Sequence, residues 1–310
     1  MAQNEQQIPK VSPDMFEVVG RSENTDALSK KQVSYWKEVF YRFSHNKLAV
    51  VGLFLLAIIA GFAIFAPMLS SFTYEQNVGL YNSAPSATNW FGTDDLARDI
   101  YVRAWEGARI SLFIGITAAV IDLIIGVLWG SIAGLAGGRV DNIMMRIADV
   151  LTAIPYLLVV IILLVIMEPG LIPMIIALSI TGWVNMARIV RSEVLKIKNQ
   201  EYVLAARTLG ANQWHIIKRH LIPNAMGAIL VTMTMTIPSA IFTESFLSYL
   251  GLGVQAPLAS WGTMASEGFK ALQSAPWRLL FPAFLISITI FAFNAVGDGL
   301  RDALDPKLRK

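Results

Sequence analysis

Apolar residues in this chain gather into six long runs: Leu48–Leu69, Ser111–Leu135, Val150–Met167, Leu171–Val190, Ala225–Leu250 and Leu279–Val296. Each is about 18 to 25 residues long, which is what a helix needs to cross the hydrocarbon core of a bilayer. The first, third and sixth contain no charged residue. Only Glu168-Pro169-Gly170 separates the third from the fourth, and a Pro-Gly turn after an apolar run predicts a tight hairpin. Reading those two as one kinked helix would leave five spans.

Between and around the runs the pattern changes. Residues 1–33 are polar, with Pro9 and Pro13, and predict a flexible tail. Residues 34–47 place Trp36, Val39, Phe40 and Phe43 at i, i+3, i+4 and i+7, with Lys37, Glu38 and Arg42 off that stripe. This predicts an amphipathic helix lying in the membrane interface; the alternative is a plain extension of the first span. Residues 70–106 and 251–278 carry Trp, Pro and Gly and are too short to be independent enzyme domains.

Composition agrees with lipid as the solvent. The 310 residues are 55% hydrophobic and 15% charged, with a mean hydropathy of +0.55, more apolar surface than one water-soluble core can hide. With six spans and both ends on one side, 20 of the 25 Lys and Arg fall on that side: 7 up to Lys47, 2 within Gly137–Ile147, 7 across Arg188–Arg219 and 4 from Arg301 onward. The positive-inside rule then predicts that both termini are cytoplasmic. A five-span chain would split these basic clusters across the bilayer. The net charge of +3 is accounted for by this placement, so no nucleic-acid partner is expected. No cysteine is present, so disulfides and thiolate metal sites are excluded. The first apolar run begins only at Leu48, too late for a signal peptide, and is expected to stay as an anchor.

One polar segment stands out between the fourth and fifth runs, Glu201 to Pro223, reading EYVLAARTLGANQWHIIKRHLIP. Glu201 opens a run of helix formers, Gly210 can supply the positive φ of a helix C-cap, Asn212 can cap a second short helix, and Pro223 marks entry to the fifth span. Small side chains at Ala205 and Ala206 allow close approach, while Tyr202, Trp214 and neighbouring basic groups such as Arg207 can anchor a partner. An ordered helix–Gly–helix element in a membrane protein's loop is a docking surface for something soluble; its bland alternative is an interfacial connector.

These residues also resemble the cytoplasmic coupling loop of ATP-binding-cassette importer permeases, whose pattern is Glu-Ala-Ala, three residues, Gly, nine residues, then Ile-x-Leu-Pro. Ala205, Ala206, Gly210 and Pro223 fall in register, whereas Leu204, His220 and Ile222 depart from it. Further segments narrow the resemblance to the dipeptide and oligopeptide subfamily. They are Phe91-Gly92-Thr93-Asp94 with Ala97-Arg98-Asp99, Gly107-Ala108-Arg109-Ile110-Ser111-Leu112, Gly137-Gly138-Arg139-Val140-Asp141-Asn142, Leu247–Gln255, Trp261-Gly262-Thr263-Met264 and Gly297–Pro306. The closing motif resembles the C-type of the two permease subunits.

The resemblance implies an all-α, six-span protein of the type I importer fold in a bacterial cell membrane: an extracytoplasmic segment at 70–106, a five-helix core at 107–302 and a cytoplasmic tail at 303–310. It implies a homologous permease, two cytoplasmic ATPases and an extracytoplasmic peptide-binding protein as partners, with ATP and Mg bound by the ATPases and no cofactor on this chain. Coupling would fall to Glu201, Tyr202, Ala205, Ala206, Arg207, Gly210, Trp214 and Pro223. Nickel, heme and antimicrobial-peptide importers use similar permeases.

Within the spans, Asp122, Glu244 and Asn294 are candidates to line a path, each also able to be a structural hydrogen-bond partner, as is Asn185. Gly126, Gly130, Gly134 and Gly138 recur every fourth residue and predict a close helix–helix face. Pro155 and Pro238 are candidate kinks. His45, His215 and His220 lack a carboxylate or cysteine cluster, so no metal site is expected, and no phosphate-binding loop occurs in the sequence. The rival to an ATP-driven importer is a stand-alone proton-coupled transporter or channel using Asp122 and Glu244; a membrane-embedded hydrolase would need a catalytic dyad that the sequence lacks.

Overall fold

The computed structural model describes residues 34–305. The expected tail at 1–33 and the last five residues lie outside them. The chain divides into two units after Glu38, and the second carries all that follows apart from the first turn of α1.

The described residues form eleven α-helices and no strand longer than an isolated bridge. α1 (Tyr35–His45) and α2 (Lys47–Leu69) are separate helices: Asn46 between them accepts the Ala49 N–H at 3.2 Å and caps α2. The segment that follows is irregular until Asp99, whose carboxylate accepts the Val102 N–H at 2.9 Å and starts α3 (Ile100–Ala136). Then come α4 (Gly138–Ala153), α5 (Tyr156–Met167), α6 (Leu171–Ile197), α7 (Glu201–Thr208), α8 (Gln213–Ile216), α9 (Ile222–Tyr249), α10 (Trp261–Lys270) and α11 (Trp277–Leu304).

Among the described residues, α2, α3, α6, the continuous stretch Gln213–Tyr249 and α11 are long and apolar enough to cross a membrane. The third run does not form the single helix that its hydropathy predicts. It is broken at Ile154–Pro155, where α4 and α5 meet at 79°. α5, at 12 residues, rises only about 18 Å. The two together make at most one bent span, giving five or six in all. The basic stretch Gly137–Ile147, expected as a loop, is largely the start of α4.

The core is α3 packed along α6. Methyl groups added at Gly126 or Gly134 would meet Met186 Cβ at 2.6 Å or Val194 Cγ1 at 2.8 Å. At Gly130 the obstacle is the Ala187 carbonyl itself. Three of the four spaced glycines therefore make the expected face; Gly138 has nothing within 4 Å and a φ of +54°, because the helix has already broken at Gly137. Large apolar side chains left exposed, such as Phe54, Phe65 and Leu69 on α2 and Val165 and Ile166 on α5, suit contact with lipid, for which no internal packing is needed.

Candidate functional site

Two places combine chemistry with geometry: the α7–α8 element and a cleft between α3, α6 and α9.

At the first, α6 ends where Lys198 sends its ammonium to the Gly134 carbonyl at 2.8 Å, a cation on the C-terminal end of α3. Arg191 holds Asp141 of α4 with Nη2 at 2.6 Å and Nε at 2.5 Å. Gly210 takes a φ of +83°. Its N–H donates to the Arg207 carbonyl at 2.9 Å and the next N–H, of Ala211, to Ala206 at 3.0 Å, closing α7. Asn212 then accepts the His215 N–H at 2.7 Å and opens α8, and a π-helical turn at Ile217–Leu221 carries the chain into α9.

Val203, Ile216, Ile217 and Leu221 are buried in one cluster with Val190 and Val194 of α6, Leu135 of α3 and Ala225 of α9. Outward remain Glu201, Tyr202, Ala205, Arg207, Trp214 and Pro223, with Ala206 half-buried and Leu209 88% exposed. The Lys218 ammonium sits 5.0 Å from the Trp214 ring centroid, and the His220 ring lies 6.2 Å from that of Tyr202 and 6.0 Å from that of His215. The result is a rigid two-helix platform with an aromatic, apolar and basic outer face, bolted underneath to three long helices.

The second place is a cleft of about 430 Å³ lined by Asp122 of α3, Tyr156 of α5, Thr181, Gly182 and Asn185 of α6, and Thr232, Thr236, Ser239 and Thr243 of α9. Asp122 is 4% exposed and its carboxylate is pressed onto Gly182, where an added Cβ would fall 2.8 Å from Cγ. Among the described residues its Oδ1 has no hydrogen-bond partner, and neither does the Tyr156 hydroxyl. The α9 hydroxyls instead donate along their own helix, Thr232 to Ala228 at 2.7 Å, Thr236 to Thr232 at 2.9 Å, Ser239 to Met235 at 3.1 Å and Thr243 to Ser239 at 2.8 Å. That stripe at 232, 236, 239 and 243 is legible as helical spacing of polar groups inside an apolar run, and it is missing from the candidates read off the sequence.

Of the three path candidates only Asp122 lies on the cleft. Asn294 is exposed and outside it. Glu244 is fully buried and accepts the hydroxyls of Ser260 at 2.6 Å, Ser248 at 2.8 Å and Ser111 at 3.3 Å. Ser111 in turn accepts the Trp261 N–H at 3.1 Å, and the Trp261 indole donates to the Ala104 carbonyl at 2.8 Å. Glu244 therefore joins α3, α9 and the start of α10, and its carboxylate is held by these hydroxyls rather than turned to the cleft.

The signature residues between α2 and α3 have similar work. Asp94 accepts the Leu96 N–H, the Arg98 N–H and the Arg98 guanidinium at 2.7 to 2.9 Å, and Asn89 donates to Asp99 at 2.7 Å. Asp94, Asp95 and Glu267 bring their carboxylates together, but guanidinium groups face them: Arg98 on Asp94 at 2.7 Å, Arg278 on Asp95 at 2.9 Å and Arg103 on Glu267 at 3.5 Å. This is an ion-pair brace that ties the segment between α2 and α3 to α3, α10 and the start of α11. Arg109 donates to the Ala63 and Ile64 carbonyls at 2.5 and 2.8 Å; the first would have no helical donor, since Pro67 has no N–H.

Known proteins resemble this chain. The family model described as the inner membrane component of binding-protein-dependent transport systems matches residues 126–310, and that of the N-terminal transmembrane domain of oligopeptide transport permease C matches residues 34–85. The oligopeptide transport system permease protein OppC of Bacillus subtilis is 61% identical over 98% of this chain and 100% of its own length. The dipeptide transport system permease protein DppC of the same organism is 55% identical over 96% of this chain and 94% of its own. OppC of Escherichia coli K12 is 43% identical over 89% and 92%. Among solved structures, an inward-facing form of the MetNI methionine ABC transporter aligns with a TM-score of 0.52 at 19% identity, covering 66% of this chain and 96% of that one, a likeness of fold. The family match over residues 126–310 and the near-complete alignment with these relatives, on a core of long apolar helices, place the chain in the family of inner membrane components of binding-protein-dependent transport systems, as a multi-pass permease.

Proposed function

We propose that this chain is one of two permease subunits of an ATP-driven importer of oligopeptides or dipeptides. The observation that carries the reading is the 61% identity over 98% of the chain to an oligopeptide permease. The chain is a transport subunit rather than an enzyme. ATP and Mg belong to two ATPases docked on the α7–α8 platform; a homologous permease completes the path, and a binding protein delivers peptide from outside. Both termini and the platform face the cytoplasm, the side on which most Lys and Arg fall. Because Val203, Ile216 and Leu221 tie the platform to α3, α6 and α9, movement of the ATPases on binding ATP is passed to the helices that wall the cleft. Closure of the ATPases on ATP opens it outward and hydrolysis resets it.

The test is reconstitution of the chain with a homologous permease, two ATPases and a binding protein in vesicles. Peptide-loaded binding protein is expected to stimulate ATP hydrolysis and vesicle uptake together. Uptake by the chain alone, driven by a proton gradient, would overturn the reading in favour of a secondary transporter.

A further inference from the structure

We infer that Asp122, with the hydroxyl of Tyr156, receives the α-ammonium group of a passing peptide in the α3–α6–α9 cleft. The inference rests on the peptide-importer reading above. Asp122 is the one charged residue among those lining the cleft. The four hydroxyls on α9 are occupied by their own helix carbonyls, whereas Asp122 Oδ1 and the Tyr156 hydroxyl lack partners. An ionisable group kept inside a membrane span without an ion-pair partner marks a functional site.

Its chemistry selects the ligand. A carboxylate only accepts hydrogen bonds, so what it recruits must donate, and a cationic donor makes the stronger, charge-assisted bond. Side chains differ from peptide to peptide, but an unblocked N-terminus always presents an ammonium with three N–H donors. Tyr156, lining the same cleft, offers its oxygen as a second acceptor. A peptide's C-terminal carboxylate would be repelled from the same point, so the site also favours one direction of entry. Gly182 makes the site possible, because any side chain there would displace the Asp122 carboxylate.

The experiment uses the assembled complex. The chain has no cysteine, so Ser239→Cys places a single reporter thiol on this subunit's cleft wall. Labelling rates with a cationic and an anionic thiosulfonate reagent of equal size are compared with Asp122 present and with Asp122→Asn, alongside uptake of a free-amino peptide by complexes with Ser239 intact. Asparagine keeps the shape and removes the charge. The expected result is a cationic-to-anionic rate ratio about tenfold lower for Asp122→Asn, as removal of one nearby charge implies, and a matching fall in peptide uptake while the subunits still purify together. An unchanged ratio, or full uptake by Asp122→Asn, overturns the inference and leaves the importer reading standing. Absence of peptide uptake when Asp122 is present overturns the importer reading itself, and the ammonium assignment with it.

Discussion

Glu244 accepts three serine hydroxyls at a depth where little water competes, and its removal leaves both a cavity and orphaned donors. Glu244→Ala is expected to cost about 2–5 kcal/mol and to lower the thermal midpoint of the purified complex, while Glu244→Gln keeps an acceptor and loses less. Equal midpoints for Glu244→Ala and the parent would contradict the hub. Arg109 offers a second check. With its guanidinium gone in Arg109→Met, the Ala63 and Ile64 carbonyls lose their donor, and amide exchange at the external end of α2 is expected to rise about tenfold, since such a bond contributes on the order of 1 kcal/mol or more. Unchanged exchange there would show that α2 does not need the clamp. Glu244 illustrates what the sequence hides. A carboxylate inside an apolar run reads equally as path or brace, and the serines that decide between them stand at Ser111 and Ser260, far apart along the chain. Asp122 carries the same ambiguity, and the residues that bear on it, Gly182 and the walls of the cleft, stand far from it along the chain.

At the scale of elements, α3 and α6 meet through Gly126, Gly130 and Gly134. Gly130→Leu would drive a side chain into the Ala187 carbonyl and toward the Arg191 N–H, 2.9 Å from the added Cβ. It is expected to insert in the membrane yet fail to co-purify with partner subunits, whereas Gly61→Leu, with nothing within 4 Å, assembles normally. Normal assembly of both would remove the glycine face from the list of causes of this fold. The spacing of these glycines is visible in the sequence, as are the Gly210 and Asn212 caps, because each depends on its immediate neighbours. The break between α4 and α5 is not visible to the same degree. Pro155 marks a kink, but the apolar run continues through it, and hydropathy does not give the size of the 79° turn that extended backbone at Ile154 and Pro155 makes. Val140, Ile143, Met144 and Ile147 do lie at helical spacing. Long-run hydropathy overlooks them because polar residues, including Asp141, which pairs with Arg191, intervene.

The whole molecule poses two questions, which way it faces and what moves it. The absence of cysteine lets single thiols answer the first. Ala84→Cys, in the exposed part of the external segment, is expected to react with an impermeant reagent added to intact cells. Leu209→Cys on the platform is expected to react only after permeabilisation, and the reverse pattern would invert the topology. The second question turns on the platform. A charge at half-buried Ala206, if an ATPase docks there, is expected to cost several kcal/mol unless paired, and Gly210→Val forces a β-branched residue into a φ of +83°, a conformation it resists. The most direct measurement is co-purification of the ATPases, together with peptide uptake, for Ala206→Asp and Gly210→Val beside Lys196→Ala, an exposed residue paired only with Glu193. The two platform variants are expected to reach the membrane at parental levels but to lose both the ATPases and uptake, while Lys196→Ala keeps them. Full ATPase binding and full uptake by both platform variants would contradict the docking role and reduce α7–α8 to a connector.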